Sequence, residues 1–195
     1  MLLADPAKLG RVSVEPPKDD PTAGPALPAT LESFLAGIDT RAFRFAEIAL
    51  RNRDDALDAV QDAMIKMLGY RDRPPTEWTP LFWTVLRSRI IDVQRRRTFR
   101  LSWLSDARMP DGEEIDWADA GPDPARNHDG REAWGRLAEA LRSLPRRQRE
   151  AFSLRVLEEF DVETTARIMG CGAGSVKTHL FRAREALQTH LEDFR

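Results

Sequence analysis

Cysteine is almost absent from this chain: Cys171 is its one cysteine in 195 residues, which excludes an internal disulfide and any multi-cysteine zinc site. The three histidines, His128, His179 and His190, are not clustered at metal-ligand spacing. A Gly-rich phosphate loop and a nucleophile elbow are also missing. We therefore expect no enzyme, no catalytic or metal site, no cofactor and no small-molecule substrate.

Long apolar runs and strong net charge are missing too. The sequence has no stretch of about 18 apolar residues and no basic-then-apolar leader, so we expect a cytoplasmic protein without membrane insertion. Its formal net charge is only -2. A protein that binds DNA alone is usually basic, so this balance is compatible with nucleic-acid binding only if the basic residues are segregated into patches or a partner supplies most of the affinity.

Composition divides the chain into four parts. Residues 1–28 hold six prolines among small and charged residues, which predicts a disordered tail. Apolar residues recur at helical spacing over 29–100 and again over 131–195, whereas 101–130 is acidic and interrupted by proline. No β-type alternation is evident. The predicted fold class is all-α, with two small helical domains joined by an acidic flexible linker.

The C-terminal part has the pattern of a helix-turn-helix. Asp161 to Gly170 is a short amphipathic segment that ends in glycine, the usual left-handed helix stop. After a tight turn, Ser175 is predicted to cap a basic helix with an apolar stripe formed by Val176, Leu180, Ala183 and Leu187. The early residues of such a helix meet base edges in a DNA groove. The residues left for its other faces include Lys177, Thr178, Phe181 and Arg182.

An acidic helix is predicted near the middle of the N-terminal domain, from Asp54 to Leu68, with the aspartates as caps. Its apolar side is expected to hold Leu57, Val60, Met64 and Met67. Its polar side holds Asp55, Asp58, Gln61 and Asp62. The residues alone fit two interpretations, a solvated helix face or an acidic docking surface for a basic partner helix.

A second amphipathic helix, from Trp83 to Arg97, is crowded with arginine. So dense a run without compensating acids costs self-repulsion, and it favours phosphate binding at least as well as a solubilising role. Three aromatic residues nearby fit either a core or a platform for unpaired bases, and the core interpretation is individually favoured: Phe82, Trp83 and Phe99.

These motifs, in this order, resemble the extracytoplasmic-function (ECF) group of bacterial RNA polymerase sigma factors over about residues 31–191. Val60-Gln61-Asp62 is similar to the core of the family's polymerase-binding helix. Leu86 to Arg97 is similar to its promoter-opening helix. Leu144-Pro145 and the segment from Gly174 to Leu187 are similar to the start and the recognition helix of its C-terminal domain.

The resemblance implies a protein without a catalytic site, whose partners are core RNA polymerase, promoter DNA and an anti-sigma factor. It implies that a polymerase coiled coil is contacted by Asp55, Asp58, Gln61 and Asp62. It places Ser88, Asp92 and Arg96 near flipped bases of the upstream melted element, and Arg87, Arg95 and Arg97 on phosphates. The distant duplex element would be read by Lys177, Thr178, Phe181 and Arg182.

Two departures and one alternative accompany the resemblance. Ser88 stands where many relatives have asparagine, and Thr165 replaces a usual aliphatic residue, which is expected to loosen packing. The alternative is a stand-alone helix-turn-helix regulator, which would bind duplex DNA as a dimer on a two-fold site. It would leave the arginine-rich helix unexplained, and the sequence shows no ligand-binding or phospho-acceptor domain.

Overall fold

The computed structural model describes residues 28–104 and 128–192. Every regular element in these ranges is helical, which confirms the all-α class. The predicted disordered tail and most of the predicted acidic linker lie outside the described residues.

The N-terminal half consists of α1 (Leu31–Leu50), α2 (Arg53–Leu68) and α3 (Pro75–Leu104). α1 begins at a capping box, in which the Thr30 hydroxyl accepts from the Ser33 amide at 3.1 Å. The chain then turns sharply at Arg51, whose φ is 52°. The side chain of Asn52 therefore caps α2, accepting from the Asp55 amide at 2.9 Å, so the prediction of aspartate caps was wrong.

The buried face of α2 is built largely from alanine. Three alanines are buried there together with two of the predicted apolar residues, as follows: Ala56, Ala59, Val60, Ala63 and Met67. Leu57 was predicted to face inward, but 41% of its surface is exposed. It follows Ala56 by one residue, which rotates it about 100° away from the buried face. The small alanine side chains let α1 and α3 approach α2 closely.

The aromatic residues at the start of α3 form the centre of the N-terminal core. Phe82 and Trp83 are fully buried, and the ring of Trp83 meets that of Phe45 edge-on with centroids 5.1 Å apart. The core interpretation is therefore confirmed for both residues. Phe99, further along α3, is 73% exposed. The helix itself reaches Leu104, beyond the predicted end of the domain at residue 100.

The C-terminal half consists of α4 (His128–Ser143), α5 (Arg146–Phe152), α6 (Val162–Met169) and α7 (Ala173–Glu192), with a π-helical turn at Ser153–Leu157 after α5. α6 and α7 form the predicted helix-turn-helix. As predicted, Gly170 ends α6 in the left-handed region, with φ 63°. α7 starts at Ala173, and the Val176 amide already donates to the Gly172 carbonyl at 3.2 Å. Ser175 thus lies inside the helix and is not its cap.

Thr165 is accommodated at the centre of the helix-turn-helix. Its side chain is fully buried, and its hydroxyl donates to the Asp161 carbonyl oxygen at 2.8 Å. This hydrogen bond satisfies the one polar group that a threonine introduces there, so the departure from an aliphatic residue leaves no unpaired hydroxyl.

The two halves pack against each other on a shared core. One cluster of buried side chains contains Phe45 and Trp83 from the N-terminal half and Leu154 and Ile168 from the C-terminal half. In a second cluster, Ile48 of α1 lies among residues of α4 and α7. The sequence predicted the two sets of helices, but it did not predict this contact between them.

Candidate functional site

The outer face of α2 combines acidic and apolar side chains. Asp58, Gln61 and Asp62 are exposed and, at spacings of three and four residues, lie on the same side of the helix. Ile65 continues that side and is 66% exposed. An acidic face with a large apolar side chain can bind a partner that is both basic and apolar. Ile65 was not predicted from the sequence, although its spacing of three residues from Asp62 and four from Gln61 indicates the same side of the helix.

Asp55 does not belong to this exposed face. Its carboxylate forms an ion pair with Arg97 of α3 and is only 34% exposed. Arg97 also donates to the Leu50 carbonyl oxygen at 2.8 Å, where α1 ends. The two side chains, which the resemblance assigns to polymerase and to phosphate, therefore contact each other and join the three N-terminal helices.

One exposed strip of α3 holds most of the other predicted residues. Ser88, Asp92, Arg95 and Arg96 follow at spacings of four, seven and eight residues from the first, which places them on one side of the helix. Ser88, Arg95 and Arg96 are exposed, and Asp92 is partly buried. The strip offers a hydroxyl, a carboxylate and two guanidinium groups, which can hydrogen-bond bases and pair with phosphates.

Arg87 faces elsewhere, toward the C-terminal half. Its Nε donates to Oε2 of Glu150 in α5 at 3.1 Å, and the two side chains are only 13% and 9% exposed. This partner could not be predicted from the sequence, because an arginine-rich run does not specify which carboxylate it meets.

The front of α7 presents the four residues predicted to read duplex DNA. Lys177, Thr178, Phe181 and Arg182 are all exposed, whereas Val176, Ala183 and Leu187 anchor the opposite side in the core. Phe181 is 63% exposed, so its ring is accessible to a ligand. This face combines donors with an apolar ring, the groups that the major groove of DNA engages.

Two carboxylates beside the helix-turn-helix have perturbed acidity. Burial raises the pKa of Glu158 above its ordinary value, because the loss of hydration outweighs the attraction of its ion-pair partner Arg41. Asp161 shows the opposite shift: the Thr164 amide donates to its carboxylate, which lowers its pKa and fixes the start of α6. Both pKa shifts therefore arise from burial and contacts within the folded protein.

No helix in the described ranges is long and apolar enough to cross a membrane. Nor do the described residues bring together three metal-ligating side chains of the histidine, cysteine, aspartate or glutamate type.

Comparison with known proteins gives matches along most of the chain. Residues 134–187 match the family described as sigma-70, region 4. The chain is 31% identical over 152 residues to the RNA polymerase sigma factor SigV of Bacillus subtilis, and the match covers 76% of this chain and 83% of SigV. It is 26% identical over 201 residues to the ECF RNA polymerase sigma-E factor of Haemophilus influenzae, covering 97% of this chain and 96% of that protein.

Solved structures agree with these sequence matches. The sigma factor RpoE of Bartonella quintana, crystallised with the anti-sigma factor NepR, superposes with a TM-score of 0.63 and 27% identity. That superposition covers 84% of this chain and 99% of RpoE. CnrH, solved with the cytosolic domain of CnrY, shares the fold with a TM-score of 0.58 at 16% identity, over 84% of this chain and 88% of CnrH. The chain belongs to the ECF group of RNA polymerase sigma factors, which direct transcription initiation with RNA polymerase.

Proposed function

We propose that this sigma factor works through three surfaces carried by three helices. The docking face is the outer side of α2 with Asp58, Gln61, Asp62 and Ile65, and the melting strip is Ser88, Asp92, Arg95 and Arg96 on α3. The reading face is Lys177, Thr178, Phe181 and Arg182 on α7. One observation supports this assignment above all: apart from Asp92, which is partly buried, the residues of the three surfaces are exposed on one side of each helix, while buried residues anchor the other side.

The docking face binds the coiled coil in the largest subunit of core RNA polymerase. Its carboxylates pair with basic residues of that coiled coil, and the exposed side chain of Ile65 supplies apolar area at the centre of the contact. Asp55 acts indirectly, because its ion pair with Arg97 fixes α2 against α3. Polymerase binding therefore depends most on Asp58 and Asp62.

The melting strip holds the upstream melted element of the promoter. Ser88, Asp92 and Arg96 lie near the flipped bases, and Arg95 neutralises a phosphate. Serine offers a single short hydroxyl where asparagine would present separate donor and acceptor groups on a longer side chain, so its base preference differs from that of asparagine-bearing relatives. Arg87 joins the strip as a phosphate contact when its pairing with Glu150 is broken.

The reading face recognises the distant duplex element through the major groove. Arg182 hydrogen-bonds a guanine in a bidentate manner, and the ring of Phe181 meets a thymine methyl group. Lys177 and Thr178 hold the neighbouring phosphates and base edges. On this proposal, residues 29–100 form the domain for polymerase and the melted element, and residues 131–195 form the domain for the duplex element.

The protein has no catalytic site of its own in this proposal, and it acts in the cytoplasm, where it meets polymerase and promoter DNA. The structural relative RpoE was crystallised with an anti-sigma factor, and a partner of the same class fits this chain. Such a partner would hold the protein inactive by covering one or more of the three surfaces.

Run-off transcription with purified core polymerase on a pool of genomic promoters, with and without this protein, tests the proposal. We expect new transcript starts that share two spaced upstream elements. Transcript starts unchanged by the protein, together with sequence-specific binding to duplex DNA without polymerase, would instead identify a stand-alone regulator. A Lys177→Ala, Arg182→Ala double variant serves as the control, because it should lose the distant element while still binding polymerase.

A further inference from the structure

Phe99 of α3 carries the most exposed large apolar side chain in the part of the chain that the structure describes. Its ring is 73% exposed, whereas Phe82 and Trp83, the other two aromatic residues noted near this helix, are fully buried. Single exposed apolar residues are common on protein surfaces, so exposure alone does not identify a ligand. The position of Phe99 on the helix is more informative.

Phe99 lies in line with the melting strip. It follows Asp92 by seven residues and Ser88 by eleven, about two and three helical turns, which places all three on one side of α3. Arg95 and Arg96 precede it by four and three residues, the spacings at which side chains on a helix are neighbours. The ring therefore ends the strip, with two exposed guanidinium groups beside it.

Two hydrogen bonds on the other side of α3 fix this part of the helix. Nε2 of Gln94 donates to the Ala49 carbonyl oxygen at 3.1 Å, and Nη1 of Arg97 donates to the Leu50 carbonyl oxygen at 2.8 Å. Both carbonyl groups belong to the last turn of α1. Phe99 follows Arg97 by two residues, so its ring is presented on an anchored helix and little ordering is needed when it binds.

A flat apolar ring beside two guanidinium groups suits an unpaired nucleotide. Single-stranded DNA is held by aromatic rings that stack on bases and by cations that pair with phosphates. In a duplex the neighbouring base pairs cover each base face, so a ring can stack only where the strands have separated. A purely apolar partner would leave the flanking arginines without a role.

The spacing along α3 indicates which base the ring meets. Phe99 is three residues beyond Arg96, a rise of about 4.5 Å along the helix axis. Successive bases of one strand are about 3.4 Å apart. If Arg96 lies at the flipped bases, as in the proposed function, Phe99 reaches the base next to them, at the boundary between melted and paired DNA.

We propose that Phe99 stacks on the face of the base at the boundary of the melted element, with the Arg95 guanidinium group on the adjoining phosphate. That base face is available only after the strands separate, so the contact stabilises the open promoter relative to the closed one. The inference rests on the proposed function, which places the melted element on this strip. It adds the residue that holds the boundary.

Binding of the holoenzyme to single-stranded oligonucleotides that carry the melted element tests the stacking. The promoter is taken from the run-off transcription experiment, and each strand is measured in turn. We expect Phe99→Ala to lower the affinity for one strand by at least about fivefold, as for the loss of one base stack. Phe99→Trp should keep the affinity, because tryptophan also has a stacking face. Phe99→Leu should not restore it, and a leucine variant that binds like the parent would overturn stacking.

Oligonucleotides with a single abasic site identify the base. Removing the base at one position should cancel the difference between the parent and Phe99→Ala, because the ring has then lost its partner. A difference that persists at every abasic position would overturn the assignment. Thr98→Ala is the matched control, since Thr98 is exposed beside Phe99 but about 100° around the helix. It should bind every oligonucleotide like the parent.

Transcription and polymerase binding separate this inference from the proposed function. If the parent starts transcription and Phe99→Ala binds the oligonucleotides equally well, the inference fails and the function stands. If Phe99→Ala weakens binding to core polymerase instead, the ring contacts protein and the inference is also wrong. If the parent never starts transcription, the proposed function fails, and this inference with it. The circular dichroism spectrum of Phe99→Ala should match that of the parent, because the ring is exposed.

Discussion

Arg97 of α3 and Asp55 of α2 form an ion pair at the point where α1 ends, and Arg97 also donates to the Leu50 carbonyl oxygen. The resemblance to sigma factors assigns Arg97 to phosphate and Asp55 to polymerase. Because they contact each other, both residues have a structural role: they hold α2, which carries the docking face, against α3, which carries the melting strip.

Arg97→Gln should therefore destabilise the protein. Loss of the charge removes the ion pair and weakens the hydrogen bond to Leu50, which we expect to lower the free energy of unfolding by about 1–3 kcal/mol. Arg96→Gln is the matched control, because Arg96 is exposed on the same helix and should leave stability unchanged while weakening promoter opening. Urea unfolding and a promoter-opening assay on the same two variants distinguish the roles. If Arg97→Gln were as stable as Arg96→Gln, the contacts of Arg97 would contribute nothing to stability.

Reversing the charge of the docking face should abolish polymerase binding. Asp58→Lys combined with Asp62→Lys turns attraction into repulsion, and we expect the affinity for core polymerase to fall by at least about 100-fold, since opposed like charges cost several kcal/mol. Both aspartates are exposed, so the circular dichroism spectrum should not change. Glu32→Lys combined with Asp39→Lys, at two exposed sites on α1, makes the same change in net charge and is the control. If the docking-face double variant bound polymerase as well as this control, the docking face would lie elsewhere.

The apolar residue of the docking face, Ile65, offers a second test of the same surface. Ile65→Ser should weaken polymerase binding by about tenfold. It should leave the fold intact, because Ile65 is 66% exposed and contributes little to the core. Ala63→Ser, on the buried side of the same helix, should do the reverse and reduce stability. Binding measured by fluorescence anisotropy and thermal unfolding of both variants would test this division.

Features set by neighbouring residues could be predicted from the sequence. α6 is bounded by Asp161 and Gly170, because an N-cap side chain and a left-handed glycine act within one helical turn. The helix of the reading face followed from the spacing of Val176, Ala183 and Leu187, which needs only the helical period.

Features set by distant residues could not be predicted. A buried stripe shows that a helix packs, but it does not name the partner, so Leu154 could not be assigned to the core around Trp83. The same limit applies to Arg87: its position in a basic run suggested phosphate, and only the folded chain brings it to Glu150. The N-cap of α2 was predicted as an aspartate instead of Asn52 for a related reason: the turn at Arg51 determines where α2 begins.

Promoter discrimination should depend on Arg182. Arg182→Ala should cost about 1–3 kcal/mol at one position of the distant promoter element and relax the base preference there, as expected when a bidentate contact to guanine is lost. Arg184→Ala, exposed on the same helix, controls for the loss of one positive charge. Holoenzyme binding to a set of single-base promoter variants measures both effects, and a loss of equal size on every sequence would make Arg182 a phosphate contact.

The two perturbed carboxylates should give stability opposite dependences on pH. The pKa of Asp161 is lowered in the folded protein, so its contribution is present above its ordinary value of 3.8 and is lost as pH falls through the folded value. Asp161→Ala should therefore be less stable than the parent at neutral pH, and the difference should shrink in acid. The pKa of Glu158 is raised above 4.5, so its ionised form costs stability above the folded value.

Glu158→Gln should accordingly be at least as stable as the parent at neutral pH, because Arg41 is half exposed and keeps its hydration when the ion pair is removed. Its advantage should fade as pH falls through the raised pKa, where the parent carboxyl becomes neutral as well. Thermal unfolding of the parent and both single variants between pH 3 and pH 8 compares the two carboxylates directly. A Glu158→Gln protein that is less stable than the parent at neutral pH, and equally so in acid, would show that packing rather than ionisation determines the contribution of this residue.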